Sequence, residues 1–151
     1  MAHPTIKRPH MIKSVIVACA MALTATNAYA CQPERILALN MFHEARGEGE
    51  EGMKMIADVT MNRVKDGRFP KDVCSVVKQK NQFTWTKKGY NIPIDEQESW
   101  NTALRLARGV LNGTEELPDT GAIYFTEKSK RPSFLRGKTR VRTLGNHAFY
   151  K

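Results

Sequence analysis

The chain reads as an α+β protein dominated by helix, a single domain with about four helices and a small β element. Three observations lead there. Apolar residues recur at helical spacing through 52–67 and again through 95–113. The stretch "ERILALNMFHEARGE" (34–48) is apolar almost all round, as a buried helix is. Only "GAIYFTE" (121–127) alternates in the manner of a convincing strand.

The elements follow in order. Residues 1–30 stand apart from the fold. Lys7, Arg8 and Lys13 precede the apolar run "SVIVACAMALTATNAYA", which ends in Ala28-Tyr29-Ala30. A basic start, a short apolar stretch and small residues at the end describe a secretory signal peptide cut after Ala30. An uncleaved signal anchor is the alternative. A lipoprotein at Cys31 fits less well, because Ala28 stands where Leu is wanted and Tyr29 is too large for its position. The expected catalytic domain is then 31–151. In its first helix Pro33 suits the opening turn and Glu34 complements the dipole there. Gly47 and Gly49 are expected to close that helix, which places Glu44 in its last turn. The second helix puts Met53, Ile56, Ala57, Thr60 and Val64 on one face and stops at Gly67. A short third helix starts near Lys71-Asp72 and carries Cys74. "KNQFTWTKKGYNIPID" (80–95) is a polar, aromatic loop punctuated by Gly and Pro. The fourth helix has acids first, a stripe of Trp100, Ala103, Leu104, Ala107 and Leu111, and Gly113 beyond its end. After the strand, "RPSFLRGKTRVRTLGNHAFYK" (131–151) can supply a short strand or an ordered loop.

Charge and cysteine content narrow the setting. The formal charge of +9 is unevenly spread. Residues 31–127 hold 13 Lys+Arg against 15 Asp+Glu, whereas 128–151 hold 8 Lys+Arg and no acid. The basic C-terminal segment suggests an anionic envelope or wall polymer as neighbour, or simply a solvated basic tail. Export argues against nucleic acid, and nothing calls for more than a monomer. Cys31 and Cys74 remain after residue 30, and an even pair in an exported protein reads as one disulfide. Zinc on these cysteines with His43 and His147 lacks any metal-ligand spacing, so no metal and no cofactor is expected.

One carboxyl group is placed for chemistry. Glu44 sits at the end of a buried helix, where lost solvation raises its pKa, and Glu48 at i+4 adds a like charge if the helix runs that far. Both effects favour an acid still protonated near neutral pH, as a general acid must be. The plainer alternative is that Glu44 caps the helix or pairs with Arg63.

The ordered series "HEARGEGEEG" (43–52), "NRV" (62–64), "RFP" (68–70), "VCSVV" (73–77), "QFTW" (82–85), "GAIYF" (121–125) and "GNHAFY" (145–150) resembles the SleB/CwlJ-type cell wall hydrolase family. The resemblance implies peptidoglycan glycan-strand cleavage on a lysozyme-like scaffold, with the Glu of the "EARGE" motif, here Glu44, as catalytic acid. Glu48 matches the second Glu of that motif, its role left open. Met53 and Thr84 depart from the family's usual Gln and Ser.

In a sugar cleft, Gln82 can hydrogen-bond an N-acetyl group, and Thr84 follows in the same motif. Phe83, Trp85 and Tyr124 can stack on a pyranose face. Core packing competes for Phe83, Trp85, Trp100 and Phe149. His147 and Tyr150 can line the groove or order the strand that carries Tyr124. Hydrolysis needs a second carboxylate, for which Asp58 and Asp95 are distant candidates outside any motif. A lytic transglycosylase needs only one, so the expectation is cleavage of the MurNAc-GlcNAc β-1,4 bond with Glu44 as acid and base. The rival readings are a muramidase using the same Glu44 and a non-catalytic peptidoglycan-binding module. The expected location is periplasmic, wall-associated or extracellular.

Overall fold

A computed structural model describes residues 31–151. The signal peptide or anchor expected over 1–30 lies outside the described residues. Four α-helices and one antiparallel sheet make up the fold: α1 (Pro33–Ala45), α2 (Gly49–Lys65), α3 (Val73–Lys78), α4 (Gln97–Asn112), β1 (Tyr124–Glu127), β2 (Arg140–Leu144) and β3 (His147–Tyr150). Short 3-10 turns cover Arg46–Glu48, Thr84–Lys88 and Ser133–Leu135.

α1 is the axis of the molecule. Eight of its 13 residues are buried, from Ile36 through Phe42 and again at Ala45. It packs against α2, α3 and α4, which is why its sequence has no polar face to show. α4 lays Trp100, Ala103, Leu106 and Ala107 on it, with Trp100 edge-on to Phe42 at 5.9 Å. Leu106, not the expected Leu111, completes the stripe, and Leu111 is exposed. Gly113 ends α4 in the left-handed conformation at φ 79°, as its position predicts.

Two covalent or polar ties set the helices in place. Cys31 and Cys74 form a disulfide across 43 residues, joining the start of α1 to α3. A closed loop of that length stabilises by at most about 4 kcal/mol. In the core, Asn40 of α1 donates to Thr60 of α2 at 3.2 Å and accepts from the Trp85 indole N–H at 3.0 Å. That network holds the "QFTW" loop down on α1. Asp58, buried in α2, accepts from both the backbone N–H and the hydroxyl of Thr120. It latches the segment leading to the sheet and is not available as a second carboxylate.

The sheet has the order β1-β3-β2, both pairs antiparallel, with Tyr124 opposite Tyr150 and Glu127 opposite His147. A bulge interrupts β2 between Arg140 and Arg142. The C-terminal segment is therefore not a solvated tail. Ala148, Phe149 and Tyr150 are buried, and β3 is the central strand. Its basic side chains are partly engaged: Arg142 with Glu51, Lys130 with Glu127, and Lys138 over the Tyr124 ring.

Candidate active site

The chain turns sharply where α1 meets α2. α1 ends at Ala45, and Arg46–Glu48 form a 3-10 turn before Gly49 opens α2 at φ 68°. The expectation that Gly47 and Gly49 close α1 is thus corrected. Gly47 does not adopt positive φ and nothing lies near where a Cβ would stand. Because the helix breaks here, Glu48 does not share the α1 face of Glu44.

Glu44 occupies the last turn of α1, half-buried, and its carboxyl forms no ion pair or side-chain hydrogen bond among the described residues. The pairing with Arg63 considered from the sequence is absent among the described residues. Burial raises the Glu44 pKa, and the nearby His147 opposes that rise. The shift therefore comes from desolvation, with no contribution from the like charge of Glu48 expected from spacing.

Glu48 has the opposite surroundings. One carboxylate oxygen lies 3.0 Å from His147 Nδ1, and the other accepts the Asn146 backbone N–H at 2.6 Å. Two glycines make room for it. A Cβ on Gly52 would lie 2.5 Å from the Glu48 Cβ, and one on Gly145 would lie 2.5 Å from its carboxylate oxygen. Gly145 also holds φ 52°, a left-handed conformation that favours glycine. The glycines of "EGEEG" and "GNH" are thus two sides of one slot, and Glu48 pins the sheet to the helices.

Glu44 stands where two cavities meet. One, of about 530 Å³, runs between the 3-10 turn and the sheet, past Glu48, Glu127, Lys128 and His147. The other, of about 380 Å³, runs past Arg63, Gln82, Thr84, Tyr124 and Phe134. A third of about 420 Å³ continues beyond Thr84 along His43, Arg46, Trp85 and Asp95. A carboxyl flanked by open space on both sides suits a polymer that passes across it.

The structure brings Gln82, Thr84, Tyr124 and His147 to this cleft and places Glu48 along its wall. It does not place Phe83 or Tyr150 there. Phe83 is 2% exposed and belongs to the main core, as do Trp100 and Phe149; Trp85, although also largely buried, borders the third cavity. Phe83 is a core residue because the loop alternates: Gln82 and Thr84 face out while Phe83 and Trp85 face in. Tyr150 is 6% exposed and packs with Leu135, Ala148 and Tyr124. It orders the strand opposite Tyr124, the second of the two roles open to it. His43 stacks on Trp85 with ring centroids 5.0 Å apart, and burial first, then Arg46, lowers its pKa.

Three cleft residues have no reading in the sequence, and a fourth has a different one. Glu127 lines the same cavity as Glu44 but is ion-paired with Lys130 at 2.7 Å. Phe134, 56% exposed, sits by Tyr124 with ring centroids 6.1 Å apart. Asn146 belongs to the "GNHAFY" motif, where its backbone does the work. Arg63, read from the sequence only as a possible partner of Glu44, lies in the quoted "NRV" motif and borders the second cavity.

Comparison with known proteins bears on the family and the fold. The family model described as Cell Wall Hydrolase matches residues 47–150, beginning just after Glu44. The spore cortex-lytic enzyme of Bacillus subtilis (strain 168) is 29% identical over 131 residues, 86% of this chain and 41% of that protein. The chain thus spans about two fifths of the length of that relative. The cell wall hydrolase CwlJ of Oceanobacillus iheyensis is 31% identical over 76% of this chain and 83% of its own length. The solved catalytic domain of the germination-specific lytic transglycosylase SleB from Bacillus anthracis superposes with a TM-score of 0.66 at 26% identity, covering 83% of this chain and 99% of that domain.

Proposed function

The chain belongs to the cell wall hydrolase family, and we propose that it is an exported enzyme that cuts peptidoglycan strands at the MurNAc-GlcNAc β-1,4 bond as a lytic transglycosylase. One observation carries this reading. Glu44 is a half-buried carboxyl with a raised pKa and no partner among the described residues, at the junction of two cavities.

The chemistry follows from that isolation. Protonated Glu44 donates to the glycosidic oxygen, and the C1–O bond breaks with its electrons going to the departing sugar. The resulting carboxylate accepts the proton of the muramic 6-hydroxyl as that oxygen bonds to C1. Glu44 then carries a proton again, and the product ends in a 1,6-anhydro ring. No bound water is needed, because the attacking hydroxyl is already on the same sugar. The other carboxylates support a one-carboxyl route: Glu48, in the same cavity, and Asp58, outside it, are both committed to hydrogen bonds. A relative of the same fold is named a lytic transglycosylase. Gln82, Thr84 and His147 line the cleft as polar contacts, and Tyr124 with exposed Phe134 offers ring faces to a pyranose.

Glu127, in the same cavity as Glu44, keeps a muramidase in view as the second reading. Mass spectrometry of digested peptidoglycan separates the two: 1,6-anhydro-muramic ends support transglycosylation, and reducing ends support hydrolysis with Glu44 retained as acid. Residues 128–151 are proposed to add retention on anionic wall polymers. Arg136, which forms no ion pair among the described residues, is the cation to test. Its neutralisation should lower retention on walls at low salt more than turnover of soluble fragments. Equal loss in both assays would remove that role.

A further inference from the structure

Arg63 is the charged group that the mechanism above leaves unused. It is 4% exposed, and its guanidinium forms no ion pair among the described residues. Nε donates to the Ile123 carbonyl at 2.8 Å. Nη1 is sealed from solvent and has no hydrogen-bond partner. The rings of Phe69 and Phe83 lie 5.2 and 5.5 Å from it, and neither offers a lone pair. Yet Arg63 borders the cavity that also holds Glu44, Gln82 and Tyr124.

A buried guanidinium with only its Nε paired to an oxygen is costly, and native proteins keep one where something else completes it. Burial lowers the Arg63 pKa only to about 10, so the side chain remains a cation at neutral pH. Nη2 likewise has no hydrogen-bond partner among the described residues and, unlike Nη1, is not sealed, so an oxygen acceptor delivered by a ligand in the cavity can complete the group. It does not sit at the reacting carbon, because glycosidic cleavage passes through an oxocarbenium-like state that a fixed cation would oppose. What remains is a substituent of the bound sugar. Its best acceptors are acyl oxygens, of the 2-acetamido group or of the lactyl ether that bears the stem peptide.

We propose that Arg63 is a substrate-binding residue whose guanidinium donates to an acyl oxygen on the sugar held beside Glu44. This rests on the reading of the cleft as a glycan site. It makes Arg63 a specificity determinant, and it explains why a core-facing position of α2 carries a charge at all.

The test compares the purified wild type with Arg63→Gln and Arg63→Lys on three substrates. These are intact peptidoglycan, the same material after chemical de-N-acetylation, and the same material after amidase removal of the stem peptides. A structural role for Arg63, anchoring Ile123, would lower kcat/KM by the same factor on all three. A binding role changes the ratio between substrates. The wild type should lose about ten- to a hundredfold in kcat/KM when the acetyl group is removed, the range for a hydrogen bond to a charged group. Arg63→Gln should flatten that ratio to within about threefold, and Arg63→Lys should restore part of it. Amidase leaves the lactyl group as a carboxylate, so a kcat/KM that rises on the stem-free substrate in the wild type but not in Arg63→Gln would identify the acyl oxygen as the lactyl one. Ratios identical in wild type and both variants on both arms would overturn the proposal. Undiminished lysis by Glu44→Gln would instead overturn the glycan-cleft reading, and the Arg63 proposal with it.

Discussion

The last turn of α1 and the 3-10 turn that follows it each carry one glutamate of the same motif, and the fold gives them opposite environments. Glu44 is left without a partner among the described residues and partly out of water. Glu48 is held by a histidine, a backbone N–H and two glycine walls. The same functional group thus becomes an acid in one place and a fastener in the other. Isolation raises a carboxyl pKa because the charged form loses solvation. Three residues of chain, Ala45 to Gly47, separate a proton donor from the joint that keeps its cleft in shape.

Removing the chemistry of Glu44 should have the largest effect. Glu44→Gln keeps the shape and removes the proton, so lytic activity should fall by about 10²- to 10⁴-fold, the usual range for general acid catalysis. Peptidoglycan binding should persist, since Tyr124 and Phe134 are untouched. The same variant should melt higher than wild type at neutral pH. The sign follows from the raised pKa: ionising Glu44 costs more in the folded protein than in the unfolded chain. Stability is therefore lost as pH rises from the unfolded pKa through the folded one, and the variant does not lose it. Activity equal to wild type on intact peptidoglycan would remove Glu44 from catalysis.

Glu48 sharpens the contrast from the other side. Glu48→Gln should lower both melting temperature and activity, by roughly 1–3 kcal/mol in stability for a buried, charge-assisted contact and about tenfold in rate if the cleft loosens. Gly145→Ala should reproduce much of this without touching Glu48 itself. The added Cβ would fall 2.5 Å from the carboxylate oxygen and force it off His147 and Asn146. If Gly145→Ala retains wild-type stability while Glu48→Gln does not, the slot is less tight than described. If Glu48→Gln costs as much activity as Glu44→Gln, the division of labour fails, and Glu48 joins the chemistry.

Much of this was legible in the sequence, for identifiable reasons. Continuous burial in α1 and the Gly113 stop are local patterns that formed where indicated, and the stripe of α4 did so apart from Leu106 in place of Leu111. The Cys31–Cys74 pair needed only parity and compartment. What the sequence concealed were relations between distant segments. Nothing near Glu48 reveals that Gly145, Asn146 and His147 close over it, so its charge was read as acting on Glu44. The alternation that turns Phe83 inward while Gln82 and Thr84 face the cleft is set by the Asn40–Trp85 hydrogen bond across 45 residues. For β3 the sequence leaves a short strand and an ordered loop both open, because its alternation is short. Burial between two neighbouring strands, not a local preference, is what makes it a strand.

The smallest effect concerns the one charge that links the two glutamates. His147 touches Glu48, and in its protonated form it lowers the Glu44 pKa against the larger effect of burial. His147→Asn is the informative change, because the Asn amide nitrogen can stand near the position of Nδ1 and keep a donor on Glu48. The charge alone is lost. Glu44 should then hold its proton to higher pH, and the alkaline limb of the kcat/KM profile should move upward with little change in the plateau rate. The melting temperature should fall less than in Glu48→Gln, since a neutral hydrogen bond replaces a stronger one. A pH-rate series on the soluble glycan product of a first digestion measures the limb without interference from wall charge. A limb that stays in place would mean that His147 acts on the cleft only through Glu48. A limb that moves down would show that His147 excludes water from Glu44, so that its loss restores the solvation burial removed.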